Sequence, residues 1–244
     1  MSKMRLSKRI YAIAEQVNKG ETAADIGTDH GYVPMLLMRE DISPAVIMSD
    51  ISEGSLSKAV QTFRDCGLEV PDTSFRTGDG LETIAPGEVD TVIIGGLGGL
   101  TITEILDTDI EKSRSFSKLI LQPRKHSGNL RYYLYTHGWD ITDEHLAPEG
   151  KFVCEIITAI PSGQTSREAP YPEDDIRWKY PSSIVEADRN LVVKRISWKI
   201  DSLAEQIDNL AHSRDDVSGL ADRLRRDREY LSDLIGYRED RKDQ

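Results

Sequence analysis

Residues 25–32 combine acidic side chains with glycines directly after a short apolar run, where an open parallel sheet would place a ligand-binding turn. The dinucleotide-binding pattern G-x-G-x-x-G is not met there. Counted from Gly27, Asp29 stands in the place of the second glycine and Tyr32 in the place of the third. A pyrophosphate at the N-terminus of the following helix would meet the carboxylate of Asp29 and be repelled. The turn therefore favours a ligand that carries no phosphate.

Two more acidic turns follow later strands of the same pattern. Asp50 ends the second predicted strand, where a carboxylate accepts hydrogen bonds from ribose hydroxyls, a feature shared with NAD enzymes. Asp79 lies between Gly78 and Gly80, so it can accept the exocyclic amine of adenine while the glycines leave room for the ring. Each aspartate taken alone also suits an ordinary turn or cap. Together with Asp25, these turns predict S-adenosylmethionine (SAM), whose ammonium and sulfonium charges suit carboxylates.

Four glycines surround Leu97 in residues 95–99, at the end of the fourth predicted strand. Such a segment can form a backbone cradle for a planar base or for the methionine part of the cofactor, and a tight strand-to-helix turn is the alternative. Amino-methyltransferases of the ordinary kind carry an Asn/Asp-Pro-Pro-aromatic motif at this point, and this chain does not.

Apolar periodicity predicts the elements that would hold these turns. The predicted helices comprise residues 4–18, 32–39, 55–66, 100–106 and 129–136. The predicted strands comprise residues 22–27, 45–49, 74–77, 89–94 and 118–122, followed by two late strands at 139–145 and 152–159. Strands that alternate with helices imply an α/β fold with a parallel, Rossmann-like sheet, and the late pair implies an antiparallel hairpin at the edge of the sheet.

The pattern changes after residue 160. Prolines among polar residues mark residues 161–183 as a linker or a wandering loop. Beyond them, apolar residues recur at spacings of three and four, which predicts two helices in an antiparallel coiled-coil hairpin. This hairpin would contact a partner, cover the main domain or form a dimer seam. The expected units are a SAM-binding domain, a Pro-rich linker and a helical coiled-coil arm, at residues 1–160, 161–184 and 185–244.

The formal net charge is −11, which argues against binding polyanions over the whole surface. Local basic clusters near residues 3–19, 124–131 and 223–228 can still contact phosphates. No apolar run approaches the roughly 18–20 residues of a membrane span, and no apolar segment follows the basic N-terminus as it would in a secretory signal. Cys66 and Cys154 fit neither a C-x-x-C motif nor a disulfide framework, so we expect reduced thiols in a cytoplasmic protein.

Several of these segments together resemble the bacterial tRNA (adenine-N1)-methyltransferases that act on adenine 22 in the D-arm region. The matching segments lie at residues 6–10, 24–34, 76–81, 93–99, 119–123, 130–131 and 153–157. The resemblance covers about residues 4–160, and the C-terminal helical arm of the family matches residues 185–236 in kind. The chain has Gly31, Leu97 and Arg124 where the family pattern has Ala, Met and Asn.

The resemblance implies SAM as cofactor, tRNA as partner, no membrane and no metal. Because N1 of adenine is already a nucleophile, methyl transfer depends mainly on proximity and orientation in a dry pocket, which the adenine enters after leaving its stack. Asp29 would stabilise the cationic product or take a proton from N6, while His30 and Tyr32 would orient or stack on the base. The implied cofactor-binding residues are Asp25, Gly27, Asp50, Ile51, Gly78, Asp79, Gly80, Gly95, Gly96, Leu97 and Gly98. The implied RNA-binding residues are Arg5, Lys8, Arg9, Gln122, Arg124 and Arg131.

Two other classes of protein remain open at this point. One is an NAD(P)-binding oxidoreductase of similar sheet topology, which the missing third glycine disfavours. The other is a non-catalytic RNA-binding protein that uses the helical hairpin. The sequence leaves the oligomeric state open.

Overall fold

The computed structural model describes residues 6–186, 188–211 and 217–236, and these form one seven-stranded sheet with helices on both faces. In chain order the strands are β1 (Ala23–Ile26), β2 (Val46–Asp50), β3 (Phe75–Thr77), β4 (Thr91–Leu97), β5 (Lys118–Pro123), β6 (Trp139–Glu149) and β7 (Phe152–Pro161). The strand order is β3-β2-β1-β4-β5-β7-β6. The first five strands are parallel, β7 is antiparallel to β5, and β6 is antiparallel to β7. The expected Rossmann-like sheet with an antiparallel hairpin at its edge is confirmed.

Nine α-helices lie in the described part of the chain. They are α1 (Lys8–Ala14), α2 (Tyr32–Arg39), α3 (Glu53–Asp65), α4 (Gly99–Asp107), α5 (Ile110–Arg114), α6 (Ser127–Thr136), α7 (Ile176–Lys179), α8 (Arg189–Ala211) and α9 (Ser218–Ile235). Short 3₁₀ turns precede β3 and α8. The sequence pattern missed α5 and α7, and it placed the first helix at residues 4–18. That helix ends at Ala14, although Val17 just beyond it is still buried.

The two faces of the sheet bury separate apolar cores, as the two-residue period of a strand requires. On β4, Ile93 packs in the core that includes residues of α1, α2 and α3, whereas Val92 and Ile94 pack in the core beneath α4 and α6. The chain order reverses between β1 and β4, which is the topological switch point of such a sheet. The first helices and the later helices therefore leave a crevice above the ends of these two strands.

The C-terminal helices share a third apolar cluster. Ile196, Ile200 and Leu203 of α8 pack with Leu231 and Ile235 of α9. Arg189, near the start of α8, donates to the carbonyl of Ile235 at the end of α9, so the helices run antiparallel. At the start of α8, Val192 is buried and Val193 is only partly buried.

The segment predicted as a linker packs against the sheet domain and the helical pair. Trp178 of α7 and the following Tyr180 are buried, and Tyr180 belongs to the same apolar cluster as α8 and α9. A division of the chain at residues 160 and 184 stays a prediction.

Candidate functional site

A cleft of about 730 Å³ opens above the carboxyl ends of β1, β2, β3 and β4. It collects most of the site residues expected from the sequence. These are Asp25, Gly27, Asp29, His30, Tyr32, Asp50, Ile51, Gly78, Asp79, Gly80, Gly95, Gly96 and Leu97, with Arg9 and Arg124 beside them. Gly98 does not line the cleft; it stands at the N-cap position of α4.

Asp25 is a buried carboxyl group at the floor of the cleft. It is 7% exposed, and its Oδ2 atom accepts a hydrogen bond of 2.7 Å from the hydroxyl of Thr28. Burial raises the pKa of Asp25 from 3.8 to about 7, against the opposing effects of the Thr28 bond and the charge of Arg9. The floor of the cleft thus holds a group that changes charge near neutral pH.

Asp29 lies at the lip of the cleft in a backbone conformation unusual for a residue with a side chain. Its φ is +45°, and its backbone N–H donates to Asp50 Oδ2 at 3.3 Å. Lys58 of α3 donates to Asp29 Oδ1 at 2.8 Å. This bond, helped by the nearby His30, lowers the pKa of Asp29 although partial burial opposes the change. Asp29 therefore presents a carboxylate, with Lys58 holding one of its oxygens.

His30 and Tyr32 form a flat aromatic pair beside Asp29. Their ring centroids are 5.1 Å apart and their planes differ by 4°. His30 Nε2 lies 3.5 Å from Asp29 Oδ2. A planar base entering the cleft can stack on this pair or hydrogen-bond to its edge.

Asp50 is anchored by backbone groups, because Oδ1 accepts from the N–H of Ser52 at 2.8 Å. Each oxygen of a carboxylate has two lone-pair directions, so both can accept a further bond from a ligand. The neighbouring Ile51 is 71% exposed at the rim. Gly80 has φ +50°, and its backbone packs against Ile105 of α4, which also lines the cleft. This part of the cleft offers carboxylates at its edge and an apolar wall behind them.

The glycine-rich segment is tied to the sheet by Gln122. Gly96 has φ +80°, and its N–H donates to Gln122 Oε1 at 3.1 Å. Gln122 is only 2% exposed, and through this bond it supports the cleft from below. The expectation that it contacts RNA is therefore corrected. Gly99 has no room for a side chain, since a Cβ atom there would lie 2.2 Å from the carbonyl oxygen of His126.

Arg9 belongs to the interior of the site. Its Nε donates to Glu149 at 2.8 Å, its Nη1 donates to Gln122 at 3.1 Å, and its side chain is 19% exposed. The guanidinium joins α1 to β5 and β6, and its charge lowers the pKa of Asp25, against the larger effect of burial. An RNA contact at Arg9, which lines the cleft, stays a prediction.

Arg131 was also expected to bind RNA, and this expectation is wrong. It is 2% exposed and lies between Glu144 and Glu155, at 2.6 Å from each carboxylate. A guanidinium enclosed in this way does not reach RNA. Lys8 is exposed on α1, whereas Arg5 lies outside the described residues.

The sequence interpretation missed three residues of the site. Lys58 pairs with Asp29 from a helix 29 positions along the chain, and Glu149 pairs with Arg9 across 140 positions, so local patterns carry no signal for either. Ile105 lies within the predicted helix at residues 100–106, and helical periodicity does not tell which apolar residue faces a ligand.

Within residues 6–186, 188–211 and 217–236, no three His, Cys, Asp or Glu side chains are grouped to hold a metal ion. None of the described helices is both long enough and apolar enough to cross a membrane. Cys66 and Cys154 are free, partly buried thiols.

Comparison with known proteins supports the interpretation of the cleft. The chain is 35% identical over 159 residues to the tRNA (adenine(22)-N(1))-methyltransferase of Bacillus subtilis. The alignment covers 65% of this chain and 66% of that enzyme, so it spans just under two thirds of the length of the relative.

Solved structures of low sequence identity share the fold over nearly the whole chain. Sp1610 of Streptococcus pneumoniae, in complex with SAM, is 22% identical with a TM-score of 0.77, covering 95% of this chain and 100% of that one. TrmK of M. capricolum, in complex with S-adenosylhomocysteine (SAH), is 24% identical with a TM-score of 0.71, covering 94% and 99%. The family model described as a methyltransferase domain matches residues 6–157, more than half of the chain, and the chain belongs to this family.

Proposed function

We propose that the protein transfers the methyl group of SAM to N1 of adenine 22 in tRNA, giving 1-methyladenosine. The observation that carries the proposal is the 35% identity to the B. subtilis enzyme named for this reaction. The SAM-bound and SAH-bound relatives of the same fold agree with the acidic rim of the cleft.

The residues of the cleft fit the cofactor. Asp50 suits the ribose hydroxyls, Asp79 suits the adenine amine, and Asp25 suits the ammonium group. Gly27 lines the cleft with φ +72°, a backbone conformation that favours glycine and leaves no side chain between the backbone and a ligand. When bound, SAM supplies a methyl group made electrophilic by its sulfonium.

The contribution of the protein to methyl transfer is mainly orientation. With SAM held by Asp25, Asp50 and Asp79, the methyl group would pass from the sulfur to the lone pair of N1, and the sulfur would keep the electron pair of the broken bond. His30 and Tyr32 hold the plane of the adenine so that N1 faces the methyl group.

Asp29 acts as a carboxylate that stabilises the positive charge gained by the methylated base. Its lowered pKa makes it a weak proton acceptor, which favours this electrostatic role over removal of a proton from N6. One oxygen is held by Lys58, and the other lies 3.5 Å from Nε2 of His30.

The RNA partner requires cations near the mouth of the cleft. Arg124 lines the cleft, and a Cβ atom at Gly96 would stand 3.7 Å from its guanidinium. Lys8 is exposed on α1, one residue before Arg9, which lines the cleft. These cations suit the phosphates on either side of an adenine that has left its stack. A tRNA substrate and reduced thiols also support a cytoplasmic location.

A direct experiment is to incubate the protein with unmodified tRNA and SAM, digest the RNA to nucleosides, and measure 1-methyladenosine by mass spectrometry. A matched tRNA with guanine at position 22 serves as the control. Product from the first RNA and none from the second is expected. Absence of product from both contradicts the proposal, and binding of NADH but not SAH in calorimetry would favour the oxidoreductase alternative.

A non-catalytic RNA-binding protein is the other alternative. It would bind tRNA without forming 1-methyladenosine, and Asp29→Ala would leave its cellular role intact. The acidic cleft, which serves no purpose in such a protein, favours the enzyme.

A further inference from the structure

The hairpin of β6 and β7 projects past the rest of the sheet beside the cleft. Leu121 of β5 pairs with Ile157 of β7, β5 ends two residues later at Pro123, and β7 begins five residues before Ile157, at Phe152. At about 3.3 Å per residue, the hairpin therefore extends past the end of β5 by roughly 10 Å. Because β6 runs parallel to β5, this tip lies at the edge of the sheet that carries the cleft.

An aromatic side chain and a cation occupy the tip. Phe152 is 65% exposed, and Lys151 Nζ lies 5.2 Å from the centroid of its ring. Glu149 pairs with Phe152 across the hairpin, and Gly150 has φ +60° in the tight turn between them. A ring that is exposed on a short, paired hairpin is held in place without being buried, which suits contact with another molecule.

A charged strip joins the tip to the cofactor side of the cleft. Glu149 is bonded to Arg9, which lines the cleft, and the positive charges of Arg9 and Arg124 lower the pKa of Glu149 although its burial opposes this. Arg9, Arg124 and Lys151 therefore bring three cations to the stretch between the cleft and the tip, in a protein whose formal net charge is −11.

We propose that Phe152 is a stacking platform for an unpaired base of the RNA substrate next to the target adenine, with Lys151 contacting the adjoining phosphate. An exposed ring beside cations is the arrangement that single-stranded nucleic acid recognises, since every base offers a flat face and every nucleotide a phosphate. A nucleotide pulled from its stack leaves neighbours that have lost a stacking partner, and the ring replaces it. The inference rests on the proposed function.

The experiment compares Phe152→Ala, Phe152→Trp and a control, Leu220→Ala, in the full-length chain. Leu220 is also an exposed apolar side chain, at 50%, but it lies on α9. Steady-state methylation of tRNA and calorimetry with SAH are measured for each. Phe152→Ala should raise the KM for tRNA about 5- to 100-fold and leave the Kd for SAH within about twofold, while Phe152→Trp restores the KM.

The fluorescence of a base analogue in the tRNA distinguishes stacking on Phe152 from an indirect effect of the substitution on KM. With 2-aminopurine at position 21 or 23 of the tRNA, fluorescence should differ between wild type and Phe152→Ala at one position at least. Equal KM values for wild type, Phe152→Ala and Leu220→Ala, with unchanged fluorescence at both positions, overturn the inference. Failure of the wild type to form 1-methyladenosine overturns the proposed function instead, and the two failures are therefore distinguishable.

Discussion

Asp25 provides a sharp test of the cleft because its charge changes near neutral pH. With a pKa of about 7, roughly a tenth of the carboxyl groups are ionised at pH 6 and roughly nine tenths at pH 8. A ligand with an ammonium group beside Asp25 binds the ionised form better, so its binding releases the proton. We expect the affinity for SAH to rise about tenfold from pH 6 to pH 8 through this group, which is about 1.4 kcal/mol.

The assay is calorimetric titration of SAH into wild type and Asp25→Asn at pH 6, 7 and 8. Asparagine keeps the shape of the side chain and removes its titration. The amino group of SAH and the imidazole of His30 are common to both proteins, so the ratio of the two Kd values isolates Asp25. A ratio that stays constant across this pH range would refute the argument that Asp25 faces the ligand with a raised pKa.

The same carboxyl gives the unliganded protein a defined dependence of stability on pH. Below pH 3.8 the group is protonated in both states. Between 3.8 and about 7 the folded state keeps a proton that the unfolded state has lost, so the free energy of unfolding falls as pH rises and levels off above about 7. Between pH 3.8 and about 7, this one group lowers the free energy of unfolding by roughly 4 kcal/mol. Asp25→Asn should therefore raise the unfolding temperature by roughly 5 °C or more at pH 8 and by less at pH 5.

Three more predictions concern other parts of the molecule. Asp29→Ala should lower kcat for tRNA methylation far more than it weakens SAH binding, and equal losses would make Asp29 a cofactor ligand. Arg131→Met should cost about 3–5 kcal/mol in denaturant unfolding, because it leaves two buried carboxylates without their shared cation; a cost below about 1 kcal/mol would contradict the buried ion pairs. Gly99→Ala should abolish SAH binding or folding, since its Cβ would meet the backbone of His126, whereas Gly98→Ala, whose Cβ would meet only the side chains of Lys125 and Thr101, should retain both.

The parallel, Rossmann-like class of the sheet and the location of the acidic turns were predictable because both depend on local patterns. Apolar runs of four to six residues marked the strands, and parallel strands bring their carboxyl ends to one edge. Asp25, Asp50 and Asp79 therefore meet in one cleft although each is more than 20 residues from the next. The predicted β6 ended at His145, four residues before its true end at Glu149, because Pro148 is atypical of a strand interior, and β7 continues two residues past its predicted end, to Pro161.

The roles of the arginines were not predictable because their partners are distant in the sequence. Arg9 and Arg131 lie in basic clusters, and a cluster predicts a surface that attracts phosphate. Their carboxylate partners, Glu149 and Glu155, stand on the hairpin at the edge of the sheet, and only the fold brings them together. A basic cluster in a sequence therefore indicates RNA binding only where the fold does not pair its arginines with carboxylates.

The buried carboxylate of Glu155 explains why the helical arm cannot be treated as a detachable part. Glu155 accepts bonds from Arg131 of α6 at 2.6 Å and from Arg195 of α8 at 2.5 Å, and the ring of Tyr180 lies beneath the guanidinium of Arg195. Removing residues 185–244 would leave this buried charge with one partner and would uncover Tyr180, at a cost in stability unrelated to RNA. A loss of tRNA binding on truncation would therefore not identify the arm as an RNA-binding element. Trp198 lies on the exposed face of the arm and is 74% exposed. Trp198→Ala leaves Arg195 and Glu155 paired, so it tests RNA binding by the arm separately from the contribution of the arm to stability.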